Sequence, residues 1–336
     1  MHLFYNPYLT ILILNYLNSH IILYRTLGDH MKNVINYFYN LVPDNIHQGI
    51  GQYYFDISGF RYYLVKYDGN FDNLKKIYDM HINLLNSRIY VHQIILNREG
   101  QITTIIDGLP YILLKAKYYK EPVSLRDIIN LTGVMMNKDN IYKAWKNLWE
   151  EKNDYLEYQL SKLSTTHPIL KDSFNYYIGL GETAIQICDI IAGENFKYYL
   201  SHKRIHSTST QFDFYNPLNL IVDLRVRDIC EYFKSSFFEA KEPAVSNITK
   251  TDIENKILYY LSHNSLTAGE RLMFLARMLY PTYYFDQFEA IINGLVADKQ
   301  IEKIISLAGD FEDTLKKIYL FIKRYIPNLY IEWLES

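Results

Sequence analysis

Cysteine is nearly missing from this chain: 336 residues contain two, Cys188 and Cys230. Both lie in apolar helical patterns, which predicts buried reduced thiols and excludes a disulfide framework or a cysteine zinc site. An excess of either charge is also missing. Thirty-five basic residues stand against 37 acidic ones, for a formal net charge of -2. That balance excludes broad electrostatic adhesion to nucleic acid or to acidic lipid. No Ser-His-Asp order, zinc-ligand spacing, Walker loop, internal repeat or low-complexity linker occurs. A clean membrane span is lacking too. The apolar run "YLTILILNYLNSHIILY" from Tyr8 to Tyr24 is broken near its middle by Asn15, Asn18, Ser19 and His20, where polar groups cost most in a bilayer. No Lys or Arg precedes it, so the basic start of a secretory signal is absent. Residues 1–30 are therefore expected to be an N-terminal extension, an upstream over-extension of the reading frame rather than a membrane anchor.

What the chain does have is material for a large core. Hydrophobic residues make up 49% and charged residues 21%, which excludes general disorder. Tyrosine is abundant, 33 residues, many in Tyr-Tyr pairs. With the frequent Ile, Asn and Lys, this fits AT-rich codons; a tyrosine-rich assembly surface is the functional alternative.

Residues 52–117 read as sheet plus one helix. "QYYFDISGFRYYLVKYDG" gives two aromatic, β-branched runs around Ser58-Gly59, a hairpin signal. "DNLKKIYDMHINLLN" places Leu74, Ile77, Met80/His81 and Leu84 at helical spacing. Three short strands follow, with turns at Arg98-Glu99-Gly100 and Asp107-Gly108. From about Ser124 helices dominate. Ile141, Trp145, Leu148/Trp149, Leu156, Leu160 and Leu163 form one stripe. A second helix is expected from near Ser173 to Gly193, and later ones over about 226–240, 250–263, 267–280, 283–297 and 300–325, one ended by Pro281. Trp145, Trp149, Tyr176 and Tyr177 are expected in the core.

A small sheet lobe with one helix, followed by a helical lobe, is the plan of a protein-kinase-like fold. The stretches "YVHQIILNREG", "IDGLPYILLK", "WKNLWEEKNDYLEYQLSKL", "SFNYYIGLGETAI", "SHKRI", "DFYNPLNLIVDLRVRDICEYFK" and "ERLMFLARMLYPTYYFD" carry the resemblance further. In their order and spacing, from about Gly49 to the C-terminus, the chain resembles the aminoglycoside phosphotransferase-like superfamily. Within it, the chain is similar to the spore coat-associated kinase-like proteins of the YutH/CotS group. The resemblance implies an α+β bilobal fold, with an N-lobe over residues 31–118 and a helical C-lobe over 119–336. The catalytic hairpin falls at 198–228, its second strand ending in Asp223.

Active members of that superfamily carry His-Gly-Asp in the catalytic loop, an Asn five residues after the Asp, and an Asp at the hairpin end that holds magnesium. Here His202 matches the loop His, Arg204 falls on the catalytic Asp, Ser209 on the metal-binding Asn, and Asp223 on the hairpin Asp. Phosphoryl transfer needs a carboxylate to orient the attacking hydroxyl and take its proton, and a guanidinium cannot accept one. A salt bridge from Arg204 to Asp223 is expected in place of a metal. His202 is expected to hold its loop through backbone hydrogen bonds rather than pair with His206 on a metal. Gly49 and Gly51 form a bare G-x-G that reads equally as a turn, and Lys66 ends a strand where the superfamily has its phosphate-binding lysine. The helix after Lys66 offers it no Glu, Asp79 being its central acid. Asp228 is expected to cap the helix after Asp223, Arg225 and Arg227 to partner acids between helices, and Glu182 to pair with a basic residue.

The resemblance, with these departures, implies a catalytically degenerate kinase-like protein. It would take no cofactor, or hold ATP and magnesium weakly through Lys66 and Asp223. Its partners would be other spore coat or morphogenetic proteins, without nucleic acid or membrane. Its place would be the mother-cell cytoplasm and then the spore coat. The alternative is an active small-molecule phosphotransferase, with Glu182 or Asp228 as an unorthodox base.

Overall fold

The computed structural model describes residues 30–49, 51–137, 145–163, 167–238 and 249–335. The expectations for residues 1–29 and for Ile141 lie outside them. Contacts divide the chain into two compact units. One runs through Glu121 and includes Gln211–Leu218; the other comprises Pro122–Thr210 and Asn219 onward.

The first unit is an antiparallel sheet: β1 (His47–Gly49), β2 (Gln52–Ile57), β3 (Phe60–Lys66), β4 (Gln93–Ile95), β5 (Thr104–Ile106) and β6 (Leu109–Ala116). Its order is β1-β2-β3-β6-β4, with β5 also paired to β6. Both predicted hairpins form where two consecutive residues have positive φ. Ser58 and Gly59 (51° and 78°) join β2 to β3, and Asp107 and Gly108 (51° and 77°) join β5 to β6. A two-residue turn with this hand matches the twist of the strands it joins.

Alternation along β3 and β6 separates the two cores. Tyr62, Leu64 and Leu113 face one way; Tyr63, Ile112 and Leu114 face the other. The second face packs on α2 (Leu74–Asn86) through Leu74 and Ile77. The first face packs on a helix over residues 30–39, α1, through Met31, Ile35 and Tyr39. One helix was expected on this sheet and two are present. The i, i+4, i+8 spacing of Met31, Ile35 and Tyr39 is the reason.

The second unit is mostly helical. It holds α3 (Leu125–Leu131), α4 (Trp145–Lys162), α5 (Pro168–Ile190), α7 (Val226–Phe238), α8 (Lys250–His263), α9 (Ala268–Leu279), α10 (Thr282–Ile292), α11 (Lys299–Ser306), α12 (Ala308–Lys323) and α13 (Glu332–Glu335); the short α6 (Gln211–Phe214) falls in the first unit. Every residue of α9 from Gly269 to Leu279 is buried, so α9 is the axis of this unit. Helix α5 starts at Pro168 rather than near Ser173, because Pro suits the first helical turn. Helix α10 ends at Ile292, five residues before the expected end. Gly294 adopts φ 69° and the Leu295 N–H closes back on the Ala290 carbonyl at 2.8 Å. The expected 300–325 helix is two, broken at Leu307.

A three-stranded antiparallel sheet, β7 (Met135–Met136), β8 (Tyr198–His202) and β9 (Leu220–Asp223), carries the site. This corrects the expected hairpin. Asp223 does end a strand, but that strand pairs with β8, His202 lying opposite Leu220 and Tyr199 opposite Asp223. Between them the chain forms α6 and a single 3-10 turn, Pro217–Asn219, instead of a strand. Phe212 there reaches the Tyr63 ring at 4.0 Å, so the loop's aromatics serve as anchors.

Candidate functional site

His202 ends β8 fully buried. Its Nδ1–H donates to Asp228 at 2.6 Å, and its backbone N–H donates to the other oxygen of Asp228 at 3.0 Å. Asp228 is thus not the expected helix cap; it grips His202 from the first turn of α7. The imidazole itself, and not backbone bonds alone, holds the loop. Arg227, beside it, donates from Nε to the His202 carbonyl at 2.8 Å and from Nη2 to the Lys203 carbonyl at 2.6 Å.

Asp223 is fully buried at the end of β9. One carboxylate oxygen accepts the Leu224 N–H at 2.6 Å and Arg277 Nη2 at 3.2 Å. The other accepts Trp145 Nε1 at 2.7 Å, Arg227 Nη1 at 3.2 Å and Arg277 Nη2 at 3.2 Å. The expected bridge from Arg204 is not formed. Arg204 pairs with Asp286 of α10 instead. Asp223 is saturated by two guanidiniums reached through the fold: Arg227 one turn on, and Arg277 from α9.

Trp145 ties these groups together. Both guanidiniums approach its ring, Arg227 at 4.3 Å and Arg277 at 4.5 Å from the centroid, while its N–H serves Asp223. It is half-buried on a pocket wall, which corrects its assignment to the core. Trp149, one turn on, is buried and stacked on Tyr280 at 4.4 Å. Tyr177 is likewise core, and Tyr176 is exposed.

The pocket lies wholly in the second unit and measures about 410 Å³. Lys152, Lys203, Arg204, Arg227, Lys234 and Arg277 line it, against the carboxylates Glu231 and Asp286. Its field shows in Glu231. Burial works to raise the Glu231 carboxyl, but Lys234, Arg227 and Arg277 outweigh it and hold the group below the usual range. Burial raises the Asp286 carboxyl above its ordinary value despite the Arg204 charge beside it. Arg227 is pressed below the ordinary guanidinium value by burial and by the like charge of Arg277.

The remaining predicted residues lie elsewhere or do other work. Ser209 Oγ accepts the His206 N–H at 3.0 Å, and its carbonyl accepts the Val123 N–H at 2.9 Å; it shapes the loop. His206 lies against Tyr283, its Nδ1 3.3 Å from the Tyr283 hydroxyl. Arg225 pairs with Glu270 at 3.2 Å, an acid of a neighbouring helix as expected. Glu182 accepts from Asn153 at 2.6 Å, an amide where a basic residue was expected. In the first unit, Gly51 (φ 68°) makes the tight turn between β1 and β2, with Gly49 opposite Gln52. Lys66 ends β3 exposed, and Asp79 lies on the exposed side of α2 with no ion pair joining them. Among the described residues, no three His, Cys, Asp or Glu form a cluster suited to a metal ion, and no helix is long and apolar enough to cross a membrane. Cys188 and Cys230 are buried free thiols, Cys188 pushed up to about 11 by burial.

Sequence reasoning missed Arg277, Asp286 and Lys234. Arg277 had a usable signal: an arginine inside the apolar run "RLMFLARMLY" must find a buried acid. Asp286 and Lys234 had none, because only the packing of α10 against α7 makes them neighbours.

The chain resembles solved phosphotransferases in fold. An aminoglycoside phosphotransferase from Alicyclobacillus acidocaldarius superposes with TM-score 0.62 at 9% identity, over 87% of this chain and 95% of that one. Amicoumacin kinase does so with TM-score 0.52 at 14% identity, over 86% and 93%. At such identities the likeness shows the fold alone, a kinase-like α+β architecture. Among curated proteins, the endospore coat-associated protein YutH of Bacillus subtilis (strain 168) is 24% identical over 273 residues, 72% of this chain and 78% of that one. The family described as "Spore coat putative kinase YutH" matches residues 32–318, and the chain belongs to it.

Proposed function

We propose that this protein is a catalytically degenerate kinase-like component of the spore coat, acting by binding rather than by phosphoryl transfer. Its partners are other coat or morphogenetic proteins, met first in the mother-cell cytoplasm and then in the coat. The observation that carries the reading is the state of Asp223. A divalent cation needs free carboxylate oxygens, and both oxygens of Asp223 are engaged by Arg227, Arg277, Trp145 and the Leu224 N–H. Two guanidinium charges at that spot also repel a cation. The residues present therefore do not fit a magnesium ion, and no reaction step is assigned to one. Arg204, where a proton-accepting carboxylate would stand, supports the same conclusion.

The test is a titration with Mg-ATP, following both binding heat and nucleotide hydrolysis. No turnover is expected. Nucleotide turnover by the purified wild-type protein would overturn the proposal. A second reading, an active phosphotransferase, draws support from one carboxylate: Asp286 lines the pocket, and burial raises its carboxyl above the ordinary value. It requires that Asp286→Asn remove a measurable turnover. Asp228, committed to His202, is not available for that role.

A further inference from the structure

We infer that this protein assembles head to tail with further copies of itself, a basic aromatic patch on the first unit of one copy docking on the acidic outer face of α4 in the next. Such assembly goes beyond the proposed function and holds whether or not the chain transfers phosphate.

The patch forms where β6 ends. Lys117, Tyr118 and Lys120 are exposed there, and Lys115 is half-buried. Among the described residues, none of the three lysines forms an ion pair. Each ammonium rests on a ring instead: Lys115 Nζ lies 4.0 Å from the centre of the Phe60 ring, Lys117 Nζ 5.2 Å from that of Tyr118, and Lys120 Nζ 5.6 Å from that of Tyr119. A ring face steadies a cation without neutralising it. The acids close by offer no substitute. Asp56 is closed on Arg61 through two hydrogen bonds, 2.8 and 2.7 Å. Glu121 is exposed and joins none of the lysines in an ion pair.

Helix α4 carries the opposite charge. Glu151, Asp154, Tyr155 and Tyr158 stand at i, i+3, i+4 and i+7, a single stripe, and all four are exposed, as is Glu157 on its flank. The buried positions Trp149, Asn153 and Leu156 face the other way. Among the described residues, Glu151, Asp154 and Glu157 form no ion pair. The two lysines nearby are engaged otherwise, Lys152 with Glu289 and Lys162 over the Tyr158 ring at 3.9 Å. Tyr155 and Tyr158, 38% and 56% exposed, supply contact area at a low cost in side-chain entropy.

The two faces match in sign, number and length. Three lysines without acids meet three carboxylates without bases. The stripe from Glu151 to Tyr158 is about 10 Å long, and Lys115 and Lys117 sit about 7 Å apart. Tyr118 and the α4 tyrosines add the aromatic contacts in which protein interfaces are rich. Both faces belong to the same chain, so each copy brings the complement that the next one needs, which favours a second copy over another acidic partner. Because the two faces differ, the contact is heterologous: each junction leaves one face of each kind free, and growth continues unless the rotation closes a ring. Exposed ion pairs are individually weak and are screened by salt, so the contact is of low affinity.

The experiment is sedimentation of the full chain over a range of protein concentrations, in roughly 50 mM and roughly 500 mM salt. At low salt the mass should rise with concentration above the 40.0 kDa of one chain, and at high salt it should return to that value. Lys117→Glu with Lys120→Glu, or Glu151→Lys with Asp154→Lys, should weaken self-association by at least about tenfold. All four positions are exposed, so both variants should keep the wild-type circular dichroism and thermal melting. Mixed together, the two variants should associate again, because the first keeps its acidic stripe and the second its basic patch. A single 40.0 kDa species at low salt, association indifferent to salt, association untouched by either variant, or a mixture that stays monomeric would each overturn the inference. So would a monomer that binds a poly-glutamate peptide through Lys117 and Lys120, which gives the patch a different acidic partner. None of these results bears on the Mg-ATP titration, so the two proposals stand or fall separately.

Discussion

At the residue scale, Asp223 stands where five hydrogen bonds converge on one buried carboxylate. A metal-binding carboxylate is held ready for its ion, at a cost in stability. Here the carboxylate is the hub of a buried charge network. The two roles predict opposite responses to mutation. Asp223→Ala leaves Arg227 and Arg277 buried and unpaired, and should destabilise the protein by about 3–5 kcal/mol in urea or guanidinium unfolding. Asp286→Ala removes a pair in which both side chains are only partly buried, 53% exposed for Arg204 and 40% for Asp286, and should cost only about 0–1 kcal/mol. Similar small losses at both positions would argue against Asp223 as a structural hub. Asp228 belongs with Asp223 as a structural acid, because its two oxygens hold both the side chain and the backbone of His202.

At the element scale, the helix ends are set by caps and by glycine geometry. Helices α3, α8 and α9 each begin with a capping box, Ser124 with Asp127, Thr249 with Asp252, and Thr267 with Glu270. Removing the Thr267 hydroxyl leaves the Glu270 N–H without its acceptor at the start of the central helix, and Thr267→Ala should lower stability by about 1 kcal/mol. Gly294→Ala should cost a similar amount, about 1 kcal/mol, because φ 69° is strained for any side chain and not for lack of room. Chemical denaturation midpoints check both. These ends also explain which boundaries sequence could place. Capping boxes are local, so the starts of α8 and α9 fall within a residue of expectation. The break at Leu307 and the end of α10 depend on how the following chain packs.

At the scale of the whole molecule, acid should unfold the first unit through its histidines. His81 and His92 are buried, and burial lowers both to about 4. The bond that His81 accepts requires the neutral ring; the one that His92 donates is made by either form, and burial alone keeps that ring neutral. His81 Nε2 accepts the Ile94 N–H at 3.2 Å, and His92 Nε2–H donates to the Phe212 carbonyl at 3.1 Å. In the unfolded chain both protonate near pH 6.5. Stability is therefore full above about pH 6.5 and falls as pH drops toward 4, by up to about 3 kcal/mol for each ring. Thermal midpoints measured from pH 7.5 to 4.5 should fall steeply below 6.5. His81→Gln, which keeps an acceptor and cannot titrate, should flatten that fall; an unchanged slope would place the acid sensitivity elsewhere.

The sequence by itself determined the local features. The hairpin turns at Ser58-Gly59 and Asp107-Gly108, the helical stretches and the frame around His202 and Asp223 follow from residues close together in the chain, where backbone preference and apolar period act directly. The fate of that frame was decided only in three dimensions. Whether Asp223 meets Arg204 or Arg277 depends on packing α9, 54 residues away, against the end of β9. The arginine nearer in sequence turned to Asp286, 82 residues on. A buried carboxylate takes whichever cation the fold delivers to it, because in a low-dielectric interior distance in space, and not along the chain, sets the energy.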